Sequence, residues 1–303
     1  MLTVNPISKC VLMNKIALGT VQFGMRYGIN SSGHQVSSDA VRDILKFASS
    51  NNINFLDTAS SYGHSEKILG STGVSNFNII TKTRHFEGNE INDEQLSNLK
   101  SDFKKSLRHL DRDHVYALLI HNANDLLKRG SDKLISSLQS IKNQHKVKKI
   151  GVSIYDLDQL NFILNNFEID IIQLPFSIFD RRFFNNGVLK KLDKKGIEIH
   201  GRSIFLQGLL LMSRKTRPKI FNKWDNLWKK WECWLCDNNL TPLDAAVRYA
   251  VSITEIKKIL VGVDSVNQLQ QILITSKGVL PEIPNDMFTD DPALLNPSMW
   301  ELS

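Results

Sequence analysis

Cysteine is scarce in this chain, with three in 303 residues. So few, and an odd number, cannot form a disulfide scaffold, which agrees with a reducing compartment. Long apolar runs are also missing. The mildly apolar start is broken by Lys9, Asn14 and Lys15, and no later run is long enough to span a bilayer. The expectation is a cytoplasmic protein without a membrane partner. There is no arginine-rich tail and no recognised nucleic-acid motif, so the formal charge of +7 comes from scattered side chains. It points to a small anionic molecule, such as a phosphorylated one, and not to nucleic acid. No internal repeat and no domain linker interrupt the chain.

What is present is a regular alternation. At 42% hydrophobic and 23% charged, the chain can bury a large core. Short β-rich runs occur at KIALG (15–19), INFLD (53–57), FNIIT (77–81), VYALLI (115–120), KKIGVS (148–153), DIIQL (170–174), IEIHGR (197–202) and KILVG (258–262). Helix-length amphipathic stretches separate them, at 37–51, 93–110, 132–144, 156–167 and 265–276, several opened by a capping residue such as Ser37, Asp156 or Ser265. Eight such units predict one α/β domain over 1–303, a (β/α)8 TIM barrel of about 15–275. An irregular insertion at roughly 206–222 follows the seventh strand. The tail from 276 to 303, rich in Pro, Asp and Asn, is expected to fold back over the barrel.

Three successive strands end in polar residues: Asp57, Lys82 and His121, with Tyr62 five residues beyond the first. Barrels of this kind keep their chemistry at the rim where the strands end. A tyrosine has an ordinary pKa near 10 and acts as an acid near neutrality only where its phenolate is stabilised. Lys82 can supply the charge, Asp57 can hold Lys82, and His121 can hydrogen-bond a reacting oxygen. Together they would protonate a carbonyl oxygen as hydride reaches its carbon. Taken one at a time, Asp57 and Lys82 read equally well as a rim ion pair and His121 as a half-buried histidine. The set of four favours chemistry. Lys82 would repel a cation, so no metal is expected.

The stretch FLDTASSYGHSEKILG, followed by ITKTR and YALLIHN, resembles the aldo-keto reductase superfamily, whose members carry an Asp, Tyr, Lys, His tetrad in this order. IGVS, IDIIQLPFSIFDRR, LQGLL and ILVGVDSVNQL extend the resemblance from about residue 15 to 275. It implies an NAD(P)H-dependent oxidoreductase with Tyr62 as general acid, Lys82 and Asp57 tuning it, and His121 orienting the carbonyl. The cofactor would be NADPH or NADH, bound without a Rossmann fold, and the chain indeed lacks G-x-G-x-x-G. By the same resemblance Ser153 and Gln173 hold the carboxamide, while Arg202, Ser203, Gly208, Gly262, Asp264 and Gln268 complete the cofactor site. Two positions depart from the pattern. Ile154 replaces the usual Asn, and Arg202 replaces an aromatic residue that stacks on the nicotinamide, though its planar guanidinium can stack too.

The segment 262–268 has no basic residue to grip a 2′-phosphate, and Asp264 would either bond a free ribose hydroxyl or simply precede the next helix as a solvated cap. The basic loop SRKTRPK, with Arg214, Lys215, Arg217 and Lys219, either supplies charge to the pyrophosphate or is solvated. Substrate contacts are expected from Phe23, Tyr27, Arg84 and Asn122. Met25, Arg26, His85, Arg181 and Arg182 would make the rim basic and favour an anionic or sugar-linked small-molecule carbonyl, as in reductive steps of surface-polysaccharide assembly. A plain aldehyde or keto-sugar remains open, as does a non-catalytic protein that senses the nucleotide or serves as a scaffold. Cys233 and Cys236 form a lone C-x-x-C with no second ligand pair. Trp224, Trp228, Trp231 and Trp234 share one helix side and are expected to pack against the barrel or tail, with partner docking as the sharper reading. A monomer or weak homo-oligomer is expected.

Overall fold

A computed structural model describes residues 15–29 and 34–300; Lys9, Cys10 and Asn14 lie outside the described residues, as do 301–303. Eight parallel strands close on themselves in sequence order, β1 pairing with both β2 and β8. They are β1 (Ile16–Gly19), β2 (Phe55–Asp57), β3 (Asn78–Lys82), β4 (Val115–Ile120), β5 (Val147–Ser153), β6 (Ile171–Pro175), β7 (Glu198–Arg202) and β8 (Ile256–Gly262). Each coincides with one of the eight sequence runs to within two residues at either end. Most strand residues are buried, and β1 and β4 read as nearly continuous apolar runs, whereas β5, β7 and β8 carry charged residues near their starts.

The main helices are α1 (Ser38–Ser50), α2 (Ser65–Thr72), α3 (Asp93–Leu110), α4 (Ser131–Asn143), α5 (Leu157–Asn166), α6 (Val188–Lys194), α7 (Asp225–Asp237), α8 (Pro242–Ser252) and α9 (Val266–Thr275). Their starts are chemically marked. Ser37, Asp156 and Ser265 each accept a hydrogen bond from the backbone of the third residue onward, and Asn92 forms a capping box with Gln95. The core outside the barrel lies between strands and helices, while a separate cluster of Ala17, Phe55, Ile80, Ala117, Leu119, Ile171 and Leu260 fills the barrel itself.

After β7 the chain runs irregularly through two 3-10 turns, Leu206–Leu211 and Lys219–Trp224, before α7. The tryptophan stripe is packing. Trp228, Trp231 and Trp234 are buried, the first two against Phe179 at ring distances of 5.0 and 5.5 Å. The tail lies along this helix: Trp234 donates to the carbonyl of Glu282 and Trp224 to the Asp291 carboxylate. Arg181 secures it further, donating to the carbonyls of Pro284 and Met287. Met287, Leu294 and Leu295 are buried. Cys233 and Cys236 are free, exposed thiols on α7.

Candidate active site

The residues that close the strands face inward because side chains alternate along a strand. Phe55, Ile80, Leu119, Ile171 and Leu260 fill the barrel. Two residues further along each of those strands come Asp57, Lys82, His121, Gln173 and Gly262. Ser153 and Arg202 end β5 and β7, with Ser153 in register with Gln173 and Arg202 with Pro175. The site is therefore the last inward layer of the barrel.

Lys82 and Asp57 are both buried, and the Lys82 Nζ lies 2.5 Å from Asp57 Oδ1, 2.9 Å from the Thr58 carbonyl and 3.4 Å from the Tyr62 hydroxyl. Gln173 donates to the other Asp57 oxygen at 2.7 Å. Burial alone would lower the Lys82 pKa, but Asp57 and Tyr62 outweigh it and hold the ammonium above its ordinary value. The resident charge is thus secure. Tyr62 differs from the sequence expectation: burial pushes its phenol up, and Lys82 only opposes that push. A phenol that holds its proton in the resting site is still able to give it to a base as strong as an alkoxide, and Lys82 stands where it would stabilise the phenolate.

His121 meets Tyr62 edge-on at 5.6 Å. Burial, then Lys82, then Arg202 lower its pKa to about 3, so the imidazole is neutral at pH 7. The Ser61 hydroxyl stands 3.2 Å from Nδ1, and donation there puts the ring proton on Nε2, the tautomer able to donate to a carbonyl oxygen. The loop carrying Tyr62 is fixed by a close approach. Gly24 lies so near that a Cβ there would sit 1.8 Å from the Tyr62 carbonyl, and Ser65 joins Thr20 and Thr58 in a buried hydroxyl cluster beneath.

Asp57, Tyr62 and His121 line one side of a cavity of about 700 Å³ that extends past Ser153, Gln173, Arg202, Ser203, Gly208, Gly262, Asp264 and Gln268, with Lys82 behind them. All eight residues assigned to the cofactor by resemblance are brought together. A dinucleotide fits the donor set. Gln22 Oε1 is buried without a hydrogen-bond partner, Ser153 and Gln173 stand beside the tetrad, and the far wall carries Thr241, Gln271 and Ser298. Ser203 and Gln207 reach the wall with φ of 64 and 53°, strain of the kind that collects at ligand sites, and Gly208 follows at 97°, which glycine adopts without strain. The helix cap at the far end is Ser265, not Asp264; Asp264 is half-buried in the wall, and burial raises its carboxyl.

Several expected rim residues lie elsewhere. Phe23 is wholly buried in the turn pressed under the Tyr62 loop, so it belongs to the core. Arg84 forms a two-point ion pair with Asp102 and lines a separate cleft of about 460 Å³ beside β3 and α3. Asn122 caps the next turn and donates to His85, outside the main cavity. Arg181 is buried under the tail and Arg182 is paired with Asp180. Arg217 pairs with Glu232 and Arg214 with Asp225, so neither feeds the cavity. Of the expected substrate contacts, Tyr27 does line it, its phenol raised to about 12 chiefly by burial. Sequence reasoning missed Thr20, Gln22, Tyr155, Thr241, Gln271, Pro297 and Ser298, isolated residues on loops, short turns and, for Gln271, on α9, with no motif to mark them.

A buried ammonium beneath a tyrosine and a neutral histidine, opening on a long groove at the strand ends of a parallel barrel, is the geometry of a hydride-transferring barrel oxidoreductase. Residues 15–286 match the model of the Aldo/keto reductase family, and the chain belongs to that family. It is an NAD(P)H-dependent oxidoreductase. It is 27% identical over 226 residues to the NADH-specific methylglyoxal reductase of Escherichia coli, covering 65% of this chain and 69% of that one. It is 26% identical over 279 residues to the L-galactose dehydrogenase of Arabidopsis thaliana, covering 86% and 83%. The fold is similar to the solved glycerol dehydrogenase of Gluconobacter oxydans, with TM-score 0.66, 22% identity and coverage of 92% and 89%. An aldo-keto reductase of Bacillus halodurans gives TM-score 0.68 at 20% identity, covering 88% of each.

Proposed function

We propose that the protein reduces a small aldehyde or ketone, with polyhydroxylated carbonyls in range, and that it prefers NADH to NADPH. The observation that carries the reading is the Lys82 ammonium, held 2.5 Å from Asp57 and 3.4 Å from the Tyr62 hydroxyl, behind these two residues that line the cavity. The nicotinamide supplies hydride when bound. Ser153 and Gln173 are the groups placed to hold its carboxamide, and Gly262, Asp264 and Gln268 the adenosine end. His121 donates to the carbonyl oxygen and fixes the substrate. Tyr62 gives its proton to that oxygen as hydride arrives at carbon, which completes the alcohol, and Lys82 stabilises the phenolate until a proton returns.

The coenzyme preference rests on the wall around Asp264. A 2′-phosphate needs cationic partners, and this wall offers Thr241, Gln268, Gln271, Ser298 and a carboxylate. A free ribose hydroxyl can donate to Asp264. That the E. coli relative is NADH-specific agrees with this reading.

The test is fluorescence titration with NADH and NADPH, followed by oxidation of the bound coenzyme on adding a panel of aldehydes and keto-sugars. Tyr62→Phe should lower kcat by about 10²–10⁴-fold while still quenching NADH. Coenzyme binding without turnover in the wild type would leave a sensor or scaffold in place of an enzyme.

A further inference from the structure

We propose that Arg202 docks an oxoanion carried by the carbonyl substrate, a carboxylate or a phosphate, and so sets the substrate class of this site. The inference rests on the reading of the cavity as a carbonyl-reducing site. Arg202 is the one lysine or arginine among the described residues that line the cavity. Of the other arginines expected at the rim, Arg84 is spent on Asp102, Arg182 on Asp180 and Arg181 on carbonyls of its own loop and the tail, while Arg26 is exposed and lies outside the cavity lining. No ion pair among the described residues includes Arg202.

Its three hydrogen bonds all go to neutral acceptors. Nε donates to Ser153 Oγ at 3.3 Å, one terminal nitrogen to Ser203 Oγ at 3.3 Å and the other to the Ile154 carbonyl at 2.9 Å. A guanidinium has five N–H donors, so one remains on each terminal nitrogen. The group is also held flat, its carbon 4.3 Å from the centre of the Tyr155 ring. A rigid, half-buried cation with two spare donors and no counter-ion gains most from an oxoanion, which meets such a fork with charge-assisted hydrogen bonds.

The position suits the substrate. The Arg202 charge bears on Tyr27, Tyr62 and His121, drawing each towards its deprotonated form, so it acts where the carbonyl must lie. An anion delivered there would neutralise a charge that otherwise opposes nothing in the resting cavity.

The test compares kcat/KM within three matched pairs at saturating NADH: glyoxylate with glycolaldehyde, D-glucuronate with D-glucose, and D-glyceraldehyde 3-phosphate with D-glyceraldehyde. Ratios within a pair cancel any general effect on coenzyme binding. The wild type should favour the anion at least tenfold in one pair or more, and which pair responds tells an adjacent carboxylate from a remote carboxylate or a phosphate. Arg202→Gln should bring that ratio to within threefold of one, and Arg202→Lys, which keeps charge but not the fork, should retain part of it. Ratios near one in all three wild-type pairs would overturn the proposal without any variant. So would a ratio that survives Arg202→Gln, or a variant that weakens NADH binding with its ratios unmoved, since Arg202 would then serve the coenzyme. Failure of all six compounds, neutral ones included, would strike the carbonyl-reductase reading itself and the inference with it.

Discussion

The amide of Gln173 donates to Oδ2 of Asp57 at 2.7 Å, from 116 residues along the chain, while Lys82 occupies Oδ1. Both carboxylate oxygens are therefore committed inside the barrel. The residue proposed to hold the coenzyme amide also braces the charge that holds Lys82.

Replacing Gln173 by Leu strips one partner from a buried carboxylate. The expected cost is about 1–3 kcal/mol of stability, because the uncompensated oxygen cannot reach water. Urea unfolding of Gln173→Leu beside the wild type measures it; an unchanged midpoint would show that another donor reaches Oδ2. NADH affinity should fall in the same variant.

His121 predicts a pH signature. Its folded pKa is depressed from 6.5 to about 3, so between those values the unfolded chain binds a proton that the folded chain does not. Stability from this residue is full above pH 6.5 and is lost as the pH falls below it, by at most about 1.4 kcal/mol per unit. Unfolding midpoints at pH 7, 6, 5 and 4 should drop less steeply in His121→Gln. Parallel curves would mean that His121 accepts a proton while folded.

Asp264 should govern the choice of coenzyme. In Asp264→Ser the repulsion of a 2′-phosphate is gone, and the ratio of NADPH to NADH dissociation constants should shrink by about tenfold, the size of one charged contact. A ratio that does not change would assign discrimination to another part of the wall.

Gly24 tests the support of Tyr62. The methyl of Gly24→Ala would sit 1.8 Å from the Tyr62 carbonyl, so the Tyr62 loop must move. Overpacking of this kind costs about 1–3 kcal/mol, and a displaced acid lowers kcat although all four tetrad residues remain. Thermal melting and kcat measured together check both effects; normal kcat would mean that the loop moves without carrying the hydroxyl.

The barrel was legible because its signals are local. Strands such as VYALLI are mostly apolar, caps such as Ser37, Asp156 and Ser265 mark helix starts, and alternation carries Asp57, Lys82 and His121 into one layer. The arginines misled because the partner of a long cation is set by distant chain. Nothing near Arg84 in sequence names Asp102, and nothing near Arg181 names the carbonyls of Pro284 and Met287. Phe23 misled because loop membership does not reveal which way a turn faces. Gln22, Gln271 and Ser298 were invisible for a related reason: a lone polar residue gains meaning only from the cavity that folding builds around it.

Pro297 and Ser298 stand in the wall of the cavity, facing groups whose strands finished 35 residues or more earlier. A nascent chain on the ribosome can therefore close all eight strands and set its tetrad while one side of the groove is still inside the exit tunnel. Such a chain has its tetrad in place before the cavity proposed to seat the coenzyme is complete. A clip or premature stop within the last stretch should then leave a folded barrel that holds the dinucleotide poorly, a lesion that would escape any assay of folding alone.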